Sequence, residues 1–344
     1  MADTAHRARG TVVPFRYFEP AKRRATQYEE VTLHVQWDPK NYAAQGWFNR
    51  DINGRPAWDE RSTSLKATDW WAYRDPHEEW FRPYVTRQAA IGGSIERKMA
   101  GAKRAQLFSG IAPLWREFLA GHYAAYRFPE YGLFMALCYA QREALSDVVA
   151  SPMVFHGLEK DRHAQDIALY CMELESAFEG FSDESCKALW MDSPIWQPTR
   201  QLIELLIGCR DWGEINFVIN LVHEPLVAAL FNTELVLRFA PRHGDSITPV
   251  IAEGAESDRE IRCNAAAELV RFLIAQDVGN LATMNAWLET WTPRAISAAR
   301  AMAPLFESVE VPVQSFDTAF ERVVANWRDL LASTGLTTPQ GEWS

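Results

Sequence analysis

The sequence predicts an all-α protein: a bundle of about eight or more helices preceded by a non-helical N-terminal arm. Three observations carry this. From about residue 96 onward apolar residues recur at three- and four-residue spacing, and no alternating strand-type runs appear. Before that point, Pro39, Gly46, Gly54, Pro56, Pro76 and Pro83 come too close together for a long helix, since each proline removes a backbone donor and clashes with the preceding turn. With 344 residues, 48% of them hydrophobic, the chain can bury a sizeable core in one large domain or two.

Residues 1–95 read as the extended arm. Arg7, Arg9, Arg16, Lys22, Arg23 and Arg24 stand against only Asp3 and Glu19 in residues 1–28, the balance of a solvated tail. Trp37, Trp47, Trp58, Trp70, Trp71 and Trp80 come next, then Tyr84. Large aromatics carry much contact area at low rotamer cost and are enriched at interfaces, so these seven are the expected contact with a partner. The alternative is that the arm wraps its own domain.

Residues 96–335 read as the helical domain. Trp115, Phe118, Leu119, His122 and Tyr126 share one helix face, and Ile167, Tyr170, Cys171, Leu174 and Phe178 share another. Ser193-Pro194 and Thr292-Pro293 have the form of an N-cap followed by a first-turn proline. A long helix is expected from about Gly213 to Phe239, kinked at Pro225, with Pro241 and Gly244 interrupting the helical pattern after it. Phe316, Phe320, Val323, Val324, Trp327 and Leu331 mark the last helix, and residues 336–344 form a tail.

A formal net charge of -10 excludes a global attraction to nucleic acid or anionic lipid. Cys138, Cys171, Cys186, Cys209 and Cys263 are odd in number and widely spaced, which argues against a disulfide framework or thiolate metal site and reads as buried thiols in a reducing compartment. The N-terminus has no apolar signal-type region, and the longest uncharged apolar run, Gly132 to Ala140, is about half a bilayer span. A cytoplasmic protein is expected.

The chemical motifs are sparse. No Gly-x-Gly-x-x-Gly, phosphate loop or Gly-x-Ser-x-Gly elbow occurs. A di-iron carboxylate bundle needs Glu-x-x-His on each of two helices, because that spacing puts both ligands on one inward face. No glutamate here has histidine three residues later. His156, Glu159 and His163, at i, i+3 and i+7, could form a metal half-site on a continuous helix. Gly157 and Lys160 weigh against it, and hydrogen-bonded interior polar groups are the simpler reading.

Several phrases carry a family resemblance: Asp69-Trp-Trp, Arg74-Asp-Pro76, Trp80 with Pro83-Tyr84, Glu130-Tyr-Gly-Leu-Phe134, Arg142-Glu-Ala-Leu-Ser-Asp147, Asp211-Trp-Gly-Glu214 and Ala240-Pro-Arg-His-Gly-Asp245. Over roughly residues 20–330 the chain resembles the β (small) subunit of the hydroxylase component of soluble bacterial multicomponent monooxygenases, the methane, propane, tetrahydrofuran, toluene and phenol enzymes. The resemblance implies a ferritin-like, ribonucleotide-reductase-like bundle without cofactor of its own. It also implies a di-iron centre in a partner α subunit, a γ subunit in an (αβγ)₂ assembly, a small effector protein, and a reductase that passes electrons from NADH through FAD and an iron-sulfur centre. The reaction implied is insertion of one oxygen atom from O₂ into a C–H bond. The words from Asp69 to Tyr84 are similar to the methane and propane subunits, making a short-chain alkane such as propane the first expectation. Asp211 to Gly213 with Asn220-Leu-Val222 looks like toluene-type subunits, so an aromatic substrate is the alternative. A free-standing helical metalloenzyme using His156, Glu159 and His163, and a helical interaction protein unconnected with oxidation, are the readings from other classes.

Laying the α-subunit ligand pattern on this chain through Glu-Tyr and Asp245-Ser-Ile-Thr-Pro249 puts the two bare glutamates at Glu130 and Glu224. The Glu-x-x-His pairs fall on Lys160-Asp-Arg-His163 and Arg259-Glu-Ile-Arg262. By this resemblance two carboxylates survive, while Lys160, Arg259 and Arg262 stand where anions and an imidazole would be. Each cation would repel an iron ion by about 4 kcal/mol per unit charge at 4 Å with an effective dielectric near 20, and none is a ligand while protonated. Glu130 and Glu224 are therefore expected to pair with these three cations.

Overall fold

The computed structural model describes Pro20, residues 24–34, Gly54 and residues 59–341. All the longer elements among them are helices: α1 Phe81–Arg104, α2 Pro113–Phe118, α3 Arg127–Glu143, α4 Asp147–Ala177, α5 Cys186–Asp192, α6 Gln197–Gly208, α7 Trp212–Val218 continuing as Ile219–Leu237, α8 Thr248–Gln276, α9 Gly279–Ala301 and α10 Phe316–Thr334. Four of them close a ring. α3 packs on α4, α4 on α8, α8 on α7, and α7 back on α3. α10 and α9 cover the outer face of α7, and α6 bridges α3 and α9. This is a ferritin-like bundle.

The three faces expected from periodicity are where the core forms. Trp115, Leu119, Tyr126, Ile167, Tyr170, Leu174, Trp327 and Leu331 are completely buried. Gly132 lies at the α3–α6 crossing, where a Cβ would come within 2.3 Å of Ile203 Cγ2. Gly244, at φ +75°, turns the chain out of α7 while its backbone approaches Gly110 too closely for any side chain. The word Asp245-Ser-Ile-Thr-Pro249 then starts α8. The buried Asp245 carboxylate accepts from the backbone N–H groups of Ile247 and Thr248, from Thr248 Oγ1, from Trp115 Nε1 and from Tyr170 O–H, joining α2, α4 and α8.

α7 departs from ordinary helix. From Ile219 to Leu237 its hydrogen bonds span five residues, with Pro225 inside. Proline has no N–H, so in this register the carbonyl five residues back, Asn220 O, lacks its backbone donor. Trp327 Nε1 donates to Leu221 O at 2.8 Å, and Cys263 Sγ donates to Asn220 O at 3.2 Å. The thiol from α8 thus replaces the missing backbone donor, and the indole from α10 adds a bond at the neighbouring carbonyl. Among the described residues the continuous helix Trp212–His243 is the one long and apolar enough to cross a membrane, and 94% of its most apolar window is buried inside the protein. It is the central core helix, longer than the apolar run noted at Gly132 to Ala140.

Several expectations need correction. Thr292-Pro293 does not start a helix; both residues lie within α9, held by core packing of Trp287, Trp291 and Ile296 on either side. Ser193 closes α5, and α6 begins only at Gln197. In each case tertiary packing outweighs the local proline signal. Cys138 is exposed, while Cys171, Cys186 and Cys263 are buried. The boundary expected at 95/96 falls inside α1, which starts at Phe81.

The end of the arm is folded onto this chain. Ser64 N–H donates to Asp211, Lys66 N–H to Asn280 Oδ1, Thr68 N–H to Gln276, and Tyr73 O–H to Ala265 O. Trp70 is buried edge-to-face against Trp212 at 5.4 Å between ring centres, and Tyr84 stacks on Phe155 at 4.4 Å. Trp70 and Tyr84 therefore belong to this chain's own core and not to an outer contact surface. Trp71 and Trp80 are half-buried. Trp37, Trp47 and Trp58 lie outside the described residues.

Candidate functional site

The centre of the ring holds Lys160 from α4. Its position is set by helix register: Lys160 and His163 are one turn apart on the inward face of α4, and Glu130 projects from the first turn of α3 toward them. Lys160 Nζ lies 2.7 Å from Glu224 Oε1, 3.3 Å from Glu130 Oε2 and 3.4 Å from Glu130 Oε1. His163 Nδ1 lies 3.0 Å from Glu130 Oε2. His223 Nδ1 lies 3.5 Å from Glu224 Oε1. Glu130, Glu224 and His223 are completely buried.

The electrostatics are those of a closed ion triad. Burial alone would raise the carboxyl pKa values, but Lys160 overrides it. With His163 it holds Glu130 below its ordinary value, and with His223 it holds Glu224 well below. Burial alone would lower the ammonium pKa, and the two carboxylates hold it above its usual value instead. All three groups are charged at neutral pH.

The expected six-residue cluster is only partly assembled. Glu130, Lys160, His163 and Glu224 meet, but the two arginines turn elsewhere. Arg259 faces the groove beside α7, where its Nη2 lies 2.7 Å from Glu256 and its side chain is still 23% exposed. Arg262 reaches across to α4, donating from Nε to Glu159 Oε2 at 2.9 Å and from Nη2 to Glu159 Oε1 at 2.8 Å, with Glu79 as a further partner. A planar fork matches the two oxygens of Glu159, whereas the glutamates of the triad already share the Lys160 ammonium.

Beside the triad lies a second network that motif reading missed. Arg87 from α1 donates to Glu79 Oε1 at 2.9 Å and to Glu159 Oε1 at 2.6 Å, and it also pairs with Asp258. Arg162 Nη2 donates to Asp258 Oδ2 at 2.8 Å and pairs with Asp166. Glu79, Glu159 and Asp258 are buried, so these pairs lock α1, α4 and α8 together around Glu79, two residues before α1. A helix start at Phe81 would have brought Arg87 into consideration, but the arm boundary hid it.

This set does not fit a di-iron group. The ammonium of Lys160 stands between the two carboxylates that would bridge or flank the metal, and Glu159 is engaged by two guanidinium groups. His156, Glu159 and His163 share α4 without converging: His163 faces Glu130, Glu159 faces Arg262 and Arg87, and both ring nitrogens of His156 lack a partner among the described residues. Among the described residues no group of three or more His, Cys, Asp or Glu is disposed to hold a metal ion.

Comparison with known proteins places the chain in a family. A family model described as Methane/Phenol/Alkene Hydroxylase matches residues 47–277. The chain belongs to this hydroxylase family. It is 34% identical over 330 residues to the propane 2-monooxygenase hydroxylase component small subunit of Mycolicibacterium goodii, covering 95% of this chain and 90% of that one. It is 29% identical to the methane monooxygenase component A beta chain of Methylococcus capsulatus, covering 92% and 85%. A crystal structure of xenon-pressurised phenol hydroxylase from Pseudomonas sp. OX1 superposes with a TM-score of 0.76 at 20% identity, covering 96% of this chain and 98% of that one, which shows the shared fold.

Proposed function

We propose that this chain is the non-catalytic small (β) subunit of the hydroxylase of a cytoplasmic di-iron monooxygenase acting on a short-chain alkane, propane first. In this reading the metal pair lies in a large subunit, a reductase delivers electrons from NADH, an effector protein controls turnover, and the hydroxylase is an (αβγ)₂ assembly. The small subunit braces its partner mechanically and supplies no group to the reacting atoms. The observation that carries the reading is Lys160, whose ammonium sits 2.7 Å from Glu224 and 3.3 Å from Glu130 in the middle of the bundle. The 34% identity to a propane enzyme's small subunit supports the substrate.

The test is co-expression with a hydroxylase large subunit from the same source. The assembled hydroxylase should consume propane and O₂ with its iron confined to the large subunit, and this chain purified alone should bind essentially none. Lys160→Glu should lower the chain's stability without recruiting iron. Iron bound stoichiometrically to this chain, with an unchanged melting temperature in that variant, would overturn the reading.

A further inference from the structure

A small cavity of about 10 Å³ lies where α4, α7 and α8 meet, next to the Arg262 network. Its walls are largely apolar, with Val149, Met153 and Leu269 among them, but His156, Asn220 and Arg262 also line it. Each of these three is at most 2% exposed. Each brings polar atoms that no group among the described residues pairs: Arg262 Nη1, Asn220 Oδ1 and the two ring nitrogens of His156. One orphaned buried polar atom is unusual; three residues with such atoms around one cavity point to a ligand.

We propose that this cavity is a binding site for a single water molecule that joins Arg262, Asn220 and His156. The volume suits it, since one water needs about 10–15 Å³ of such space and two to four polar partners. The donors and acceptors also match. Arg262 Nη1 can only donate. The amide of Asn220 is oriented by Nδ2, which donates to Asn216 O and Oδ1 at 3.0 Å each, so its Oδ1 is left to accept. His156 is neutral, because burial and the nearby Lys160 hold its pKa well below the usual histidine value, and a neutral imidazole has one accepting nitrogen. One water that accepts from Arg262 and donates to Asn220 and His156 uses both its protons and one lone pair.

The site has a structural consequence. Arg262 is already fixed by Glu159 and Glu79, and Asn220 sits in the first wide turn of α7, with its carbonyl taken by Cys263. The bound water makes the ion-pair network and the wide turn one continuous hydrogen-bonded unit, held from α4 by His156.

The test is a crystal structure of the assembled hydroxylase at a resolution that shows ordered water. Wild type should show one peak within hydrogen-bonding distance of Arg262 Nη1, Asn220 Oδ1 and a His156 ring nitrogen. His156→Gln keeps an acceptor and should retain the peak; His156→Leu should lose it and melt several degrees below the Gln variant. An empty cavity in wild type, direct pairing of Arg262 with Asn220, or a peak unchanged in the Leu variant would overturn the proposal. If the Leu variant does not assemble, the wild-type map alone decides.

Discussion

Replacing Lys160 with methionine keeps the apolar stem of the side chain and deletes its charge. Glu130 and Glu224 would then face one another as buried anions with only His163 and His223 beside them. At the observed 2.7 and 3.3 Å, each lost contact carries about 5–6 kcal/mol of Coulomb energy at an effective dielectric near 20. Much of that offsets the desolvation of three charges, and removal of one partner from a buried pair typically costs about 3–5 kcal/mol net. At about 2–3 °C per kcal/mol for a large domain, the melting temperature should fall by about 6–15 °C.

The pH dependence separates this from a simple packing defect. In wild type, Glu130 and Glu224 are held below 4.5, so their stabilisation is present above pH 4.5 and is lost as pH falls through their lower folded values. In Lys160→Met, burial is no longer opposed and the folded-state values rise above the unfolded ones. The folded form then binds more protons, and stability falls as pH rises toward neutrality. Calorimetric melts of the full chain across mildly acidic to neutral pH should show a deficit largest at neutral pH and shrinking on acidification. Adding Glu130→Gln and Glu224→Gln should restore most of the loss, because an uncharged triad of similar volume is often as stable as the ionic one. A deficit independent of pH, or none at all, would refute the triad's electrostatic role.

Arg262→Lys preserves the charge but cannot span both oxygens of Glu159 and reach Glu79. It should cost about 1.5–3 kcal/mol in a thermal melt, and equal stability would contradict the fork geometry. Trp70→Ala should destabilise the chain itself by about 3–5 kcal/mol through the cavity left against Trp212; an unchanged melt with weakened co-purification would mean that the indole serves a partner instead. Trp327→Phe takes the indole donor from the Leu221 carbonyl and should cost about 1–3 kcal/mol in a thermal melt, while Pro225→Ala returns a backbone donor to the neighbouring Asn220 carbonyl, so the two effects should be nearly additive. A double-mutant cycle on these two positions measures the coupling directly.

The helical bundle was legible because its buried faces repeat along the sequence: Trp115 to Tyr126 and Phe316 to Leu331 bury the residues their spacing selects. The triad of Lys160, Glu130 and Glu224 was expected from the family resemblance, and helix spacing added only that Lys160 and His163 share one face of α4. The partners of the arginines were not legible. Register places Arg262 on α8, but a long guanidinium chooses among acids by reach and fork geometry, and its partner Glu79 is 183 residues away outside any periodic segment. The arm misled for a related reason. Aromatic density marks a surface that must be covered, without saying whether the cover is another chain or the chain's own Trp212. Pro293 within α9 likewise reads as a boundary, because the packing of Trp287, Trp291 and Ile296 that keeps it inside the helix leaves no local signal.

The buried greasy rod of α7 has a consequence for how the polypeptide is made. The ribosome releases Trp212–His243 before the helices that shield it, and its last cover, α10, is complete only at Thr334. At about 5–20 residues per second, that segment waits roughly 5–20 s in a state that insertion machinery or aggregation could capture. Nascent chains stalled before Phe316 should therefore recruit holdase chaperones more strongly than full-length ones, making biogenesis the most vulnerable moment in this molecule's life.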